Sequence, residues 1–232
     1  MVESVSTAGP VTESVEPDKA IELDEPPLQP DQEWANALTH AIAAIGAIVL
    51  GGYLVSIALP KGSGMAIACA AYSMSALGTF VFSTLSHVVR RQPWLNQMRA
   101  WDQAMIYTMI SGTYTPIAYR YASESAQFPL LVAIWVAATA GFLTKVAWQH
   151  RVNSVGAISY LLLGWLPAIP LVKHVPAELA WWMVAGGVCY TVGVVFLMND
   201  NKVRYMHAVW HLSVMTAAVC HYYGILKYVV LL

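Results

Sequence analysis

Ala41-Ile42-Ala43-Ala44-Ile45-Gly46-Ala47-Ile48-Val49-Leu50-Gly51-Gly52-Tyr53-Leu54-Val55-Ser56-Ile57-Ala58-Leu59 contains no charged side chain. With its flanks, at a rise of about 1.5 Å per residue, it crosses the roughly 30 Å hydrocarbon core of a bilayer. Lipid offers the backbone no hydrogen-bond partner, so a helix is the form such a run must take. Segments of the same character lie near 35–59, 65–89, 101–120, 127–148, 154–173, 178–198 and 206–231. Turn-forming clusters separate them, among them Leu59-Pro60-Lys61-Gly62, Arg90-Arg91-Gln92-Pro93, His150-Arg151-Val152-Asn153 and Asn199-Asp200-Asn201-Lys202. The pattern predicts an all-α protein, a seven-transmembrane helical bundle over residues 33–232.

Composition agrees. Of the 232 residues, 58% are hydrophobic and 11% charged, whereas a soluble domain carries about a quarter charged residues. The charges are also unevenly placed. Of the 13 acidic residues, only Asp102, Glu124, Glu178 and Asp200 lie beyond Glu33. Residues 1–32 read as a disordered acidic cytoplasmic tail, rich in Glu, Pro, Ser and Val. The tail has neither the basic start nor the apolar run of a cleaved signal, so the first span is expected to act as the insertion signal. No basic stripe suggests nucleic acid. Cys69, Cys189 and Cys220 sit in apolar stretches without a pairing pattern and read as buried thiols.

Lys and Arg orient the spans. Lys19, Arg90, Arg91, Arg99, Lys145, Arg151, Lys202 and Arg204 fall on one side; Lys61, Arg120, Lys173 and Lys227 fall on the other. Eight against four places the amino terminus in the cytoplasm and the carboxyl terminus outside. Trp34, Trp94, Trp148 and Trp181 read as interface anchors. Gly51-Gly52 and Gly186-Gly187 read as close helix contacts. Pro116, Pro167 and Pro170 read as kinks.

Ionisable groups inside spans are costly and usually pair or bind something. Four stretches hold them here: Glu33-Trp34-Ala35-Asn36-Ala37-Leu38-Thr39-His40, Phe82-Ser83-Thr84-Leu85-Ser86-His87, Trp101-Asp102-Gln103, and Tyr205-Met206-His207-Ala208-Val209-Trp210-His211. With the orientation above, all four lie in one slab near the cytoplasmic face. His207 and His211 are four residues apart and project from one helix face, as do Ser83 and His87. Three imidazoles from two helices can supply three sites of a tetrahedral Zn²⁺. Asp102 can hold or orient a water at the fourth, whose pKa the metal lowers to about 7. Ser83 can donate to a developing oxyanion. Taken singly, His40, His150, His174 and His221 read as interface or core histidines bonded to backbone or water.

At these residues the chain resembles the haemolysin III family of bacterial membrane proteins, grouped with the progestin and adipoQ receptors. The resemblance runs from about Glu33 to the end. It is carried by Glu33-x-x-Asn36-x-x-Thr39-His40, Ser83-Thr84-Leu85-Ser86-His87, Asp102 followed by Gly112-Thr113-Tyr114-Thr115-Pro116, Gly164-Trp165, His207-x-x-Trp210-His211 and Val219-Cys220-His221. It implies a seven-helix bundle with a cytoplasmic amino terminus, and zinc held by His87, His207 and His211 with Asp102 reaching it through water. Ser83 matches the serine of a wider group of membrane hydrolases that includes alkaline ceramidases. Ser86 and Gln103 depart from residues common in the family, an aromatic and a histidine, which bears on substrate shape rather than on the metal.

Three functions are then open. The first is zinc-dependent hydrolysis of an amide in a membrane lipid of the bacterial plasma (inner) membrane. The second is a non-enzymatic regulator or receptor-like protein with structural zinc. The third, a haemolysin-type pore, fits least, because the polar groups concentrate at one depth.

Overall fold

The computed structural model describes residues 29–148 and 154–232. The tail up to Leu28 and the connection containing His150 and Arg151 lie outside the described residues, as does the side chain of Trp148. Among the described residues there are eight α-helices and no strand. They are α1 (Pro30–Ala58), α2 (Ser63–Val88), α3 (Trp94–Tyr121), α4 (Glu124–Trp148), α5 (Ser154–Trp165), the short α6 (Ala168–Leu171), α7 (Ala177–Leu197) and α8 (Met206–Ile225).

Four helical stretches, Pro30–Lys61, Ser63–Val88, Glu124–Ala147 and Ala177–Leu197, are long and apolar enough to cross a membrane, and Gly156–Leu171 is a shorter apolar one. The other long helices, α3 and α8, carry much of the polar chemistry: Arg99, Asp102 and Gln103 in one, His207, His211 and His221 in the other. α2 packs between α1 and α3, and α7 against α8. α8 returns to α1, and α3 also meets α4, α5 and α8. The first and last helices are therefore neighbours, with α3 inside the bundle.

The distribution of side-chain size is that of a protein dissolved in lipid. On α1, Leu38, Ile42, Ile45 and Val49 recur at helical spacing and are exposed, Ile45 by 65%. The opposite face buries Ala37, Ala44, Gly51, Leu54 and Ala58. Exposed apolar side chains continue over α4 and α7 in Phe128, Val136, Val188 and Val195. A water-soluble monomer rarely exposes so continuous an apolar surface. The chain is thus a multi-pass membrane protein.

Small residues set the helix spacing, as expected where lipid supplies no hydrophobic drive between helices. A Cβ at Gly51 would stand 2.8 Å from Ser73 Cβ on α2. At Gly112 it would stand 2.6 Å from Ser75 Oγ. Gly52 meets nothing, so only one of that glycine pair is a contact; Gly186 backs onto His221 and Gly187 onto Trp165.

The segment boundaries moved in two places. α3 begins at Trp94, about two turns before the expected segment at 101–120, because its first turns lie on the polar side of the bundle. The fifth segment is broken: α5 ends at Trp165 and α6 begins beyond Pro167, whose ring lacks the amide hydrogen a continuous helix needs. α3 runs on through Pro116 as one helix. Trp34, Trp94 and Trp181 are all exposed near helix ends, and the three cysteines are free.

Candidate metal centre

His87 ends α2, and His207 and His211 open α8. Because α2 runs opposite to α1, α3 and α8, the beginning of α1, the end of α2 and the beginnings of α3 and α8 meet at one end of the bundle. The three rings form a near-equilateral triangle: centroids are 5.0 Å apart for His87–His207, 5.1 Å for His87–His211 and 4.7 Å for His207–His211. One nitrogen from each lies within 4.8 Å of the other two. Around a tetrahedral zinc with bonds of about 2.1 Å, ligand nitrogens sit about 3.4 Å apart. A modest inward movement of the rings closes that difference.

The opposite nitrogens explain the orientation. His87 Nδ1 lies 2.7 Å from Glu33 Oε2, and His207 Nδ1 lies 2.8 Å from Asp200 Oδ2. His211 Nδ1 lies 3.1 Å from the Asn36 carbonyl oxygen and 3.0 Å from Thr39 Oγ1. A carbonyl or carboxylate only accepts, so these partners place the proton on Nδ1 and leave Nε2 as a bare lone pair. His87 Nε2 and His207 Nε2 are buried without any partner. A buried polar atom is rarely left so. Three imidazoles, each holding its rear nitrogen to an acceptor and turning the other toward a common point, form the arrangement that metal-binding histidines adopt. The residues present fit a divalent ion.

Asp102 lies beside this trio and outside the close group of nitrogens. Its Oδ2 accepts a hydrogen bond from Ser86 Oγ at 3.0 Å, and the Ser83 hydroxyl also reaches its carboxylate. Ser83 is almost completely buried. The serine lining the cavity is Ser86 rather than Ser83. That cavity, about 710 Å³, is also lined by Glu33, Asn36, His87, Asp102, Asp200 and His207. Gln103, next along α3, accepts from Lys145 Nζ at 3.1 Å, which ties the start of α3 to the end of α4.

One rim of the cavity is latched. Arg204 pairs with Asp31, Tyr205 Oη donates to the same carboxylate at 2.8 Å, and the Tyr205 amide donates to Gln32 Oε1 at 2.8 Å. The bond to Asp31 raises the Tyr205 phenol above its ordinary pKa. Tyr205 itself is left-handed (φ 63), a conformation uncommon outside glycine, and these two bonds hold it there.

The remaining histidines divide. His40 is buried and stacks flat on His211 with centroids 3.7 Å apart. His174 is exposed in the turn before α7, and His221 is buried deep in the bundle. Sequence reasoning set Glu33 in the right stretch without a role and passed over Asp200. A signal existed: an acidic residue at the same depth as each histidine is what an imidazole ligand needs behind it.

Residues 28–222 match the family described as haemolysin-III related. Hemolysin-3 of Bacillus cereus is 31% identical over 202 residues, covering 85% of this chain and 92% of its own length. The Hemolysin-3 homolog of Bacillus subtilis (strain 168) is 30% identical over 204 residues, with 86% and 95% covered. Monocyte to macrophage differentiation factor of Homo sapiens is 29% identical over 199 residues, with 84% and 83% covered. On the match across most of its length, the chain belongs to the haemolysin-III related family of membrane proteins.

Proposed function

We propose that this protein is a zinc-dependent hydrolase of an amide bond in a membrane lipid, crossing a bacterial plasma membrane seven times with its acidic tail in the cytoplasm. The observation that carries the reading is the trio of imidazoles, His87, His207 and His211, which bring one nitrogen each within 4.8 Å of the others beside a buried carboxylate and an open cavity. A divalent ion held by these three would polarise a carbonyl and make a water acidic enough to ionise near neutral pH.

The chain's own residues then have definite tasks. Glu33, Asp200 and the Asn36 carbonyl fix the ring orientations. Asp102 takes a proton from the attacking water and returns it to the departing amine, so that amide and water give a carboxylic acid and a free amine, the acid's proton passing to the amine in solution. Ser86 and Ser83 hold the Asp102 carboxylate in place, and a hydroxyl of this pair donates to the oxyanion as it forms. Ile106 and Trp210 line both the polar cavity and an apolar cavity deeper in the bundle. A polar cavity and an apolar one meeting at the same two side chains suit a substrate with a polar amide and an apolar chain.

A purely structural ion calls for a closed site with four protein ligands, whereas this trio opens on a cavity. The Lys and Arg distribution supports the orientation, and the bacterial relatives support the location. The test is zinc analysis and ceramide hydrolysis by the purified full chain, beside His207→Ala and Asp102→Asn. The reading expects His207→Ala to lose both metal and activity, and Asp102→Asn to lose activity alone. Hydrolysis unchanged in His207→Ala would overturn it.

A further inference from the structure

The apolar cavity behind Ile106 and Trp210 is not uniformly apolar. His221 on α8 and Tyr190 on α7 both line it, with ring centroids 5.7 Å apart. His221 Nε2 lies 3.1 Å from the Met183 carbonyl oxygen. A carbonyl accepts only, so Nε2 carries the proton and Nδ1 is left as an acceptor. That Nδ1 is buried without a partner, and so is the Tyr190 hydroxyl. His221 is 93% buried, being 7% exposed, and Gly186 makes room for it, since any Cβ there would run into the imidazole. Space has been cleared on α7 for a histidine that uses only half of its hydrogen-bonding capacity.

We propose that His221 and Tyr190 form a second polar subsite that binds one hydroxyl group carried on an otherwise apolar lipid chain. The complementarity is specific to that group. A hydroxyl donates to His221 Nδ1 and accepts from the Tyr190 Oη–H, satisfying both atoms. A carbonyl satisfies the tyrosine alone, and a methylene satisfies neither. A site built to bond a hydroxyl discriminates strongly against the analogue that lacks it, because its own polar groups are then left unpaired.

The position sets the place of the hydroxyl on the chain. His221 follows His211 by ten residues of one helix, about 15 Å by helix rise. That is the length of roughly a dozen extended methylene steps. This part of the inference rests on the reading above, in which the imidazole trio takes the carboxyl end of an acyl chain. The substrate class it names is the hydroxyacyl lipid, with its hydroxyl near the middle of the chain.

The experiment is equilibrium binding of radiolabelled stearic acid and 12-hydroxystearic acid to the full chain, zinc-loaded, in detergent micelles. The wild type is expected to hold the hydroxy acid about tenfold more tightly, as one satisfied buried pair implies. Tyr190→Phe, which removes a single oxygen, and His221→Phe should each abolish that preference and leave stearic acid binding within about twofold of wild type. If His221→Phe does not fold, Tyr190→Phe decides alone. Equal affinity of the wild type for the two acids would overturn the subsite, and so would a preference that survives Tyr190→Phe. Ceramide hydrolysis, measured on the same preparations, separates the two readings. Hydrolysis without hydroxyl preference removes the subsite only, and hydroxyl preference without hydrolysis removes the reaction only.

Discussion

Glu33 offers the sharpest test of whether the imidazole trio is a metal site. Its carboxylate lies 2.7 Å from His87 Nδ1, and the two side chains are only 14% and 11% exposed. Removing the partner behind a metal-binding histidine typically costs 10–100-fold in affinity, about 1.4–2.7 kcal/mol. Glu33→Gln keeps an oxygen that can accept from Nδ1 and removes its charge, and a charged acceptor bonds about twice as strongly as a neutral one. The expected loss in zinc affinity is therefore about tenfold for Glu33→Gln and about a hundredfold for Glu33→Ala, which leaves His87 with no acceptor. Competition against a chromophoric chelator on the purified chain reads both. Asp31→Asn is the control two residues earlier. Its ion pair with Arg204 is exposed, where water and salt screen it. Zinc affinity should hold within about threefold in Asp31→Asn. If Glu33→Ala also held zinc as tightly as wild type, the orientation argument would be refuted.

Three further outcomes follow from the same geometry. The His207/His211 double alanine variant should contain no stoichiometric zinc by elemental analysis, and its thermal midpoint should stop responding to added zinc, since a ligand stabilises only the state that binds it. Acidification should release the metal and alkalinisation restore it, because each Nε2 that takes a proton ceases to be a ligand; a pH titration of bound zinc checks the sign. Gly112→Ala should lower stability by about 1–3 kcal/mol through overpacking, because the added carbon would meet Ser75 Cβ at 2.7 Å and the Ala71 carbonyl at 3.2 Å. Denaturation in mixed micelles measures that loss.

Much of the fold was legible because apolar runs and helix length are local properties. Helix ends were less so. Trp94 to Ala100 contains Asn96, Gln97 and Arg99, which read as a connection, yet the segment is helical with Leu95 and Ala100 buried inward. Pro167 was visible as a kink, and the chain made it a break. Of the site, the pair His207 and His211 showed itself by spacing within one helix. Glu33 did not, because it stands 54 positions from His87 and only the packing of α1 on α2 joins them. Asp200 is near His207 in sequence but belongs to a connection, where no period marks it. Ser86 was noted as a departure from its family, and the structure shows it bonded to Asp102. His40 had no legible partner; its stacking on His211 depends on α1 lying against α8.

The closing of α8 onto α1 and α2 has a consequence for how the protein is made. The proposed metal centre draws an acceptor from the first helix, a ligand from the second and two ligands from the last. A nascent chain presents the first two long before α8 leaves the ribosome. Until that helix is inserted only one of the three proposed ligands, His87, is in place. On the proposed assignment, metal uptake would report completed membrane integration, and chains that lack an inserted α8 would remain metal-free.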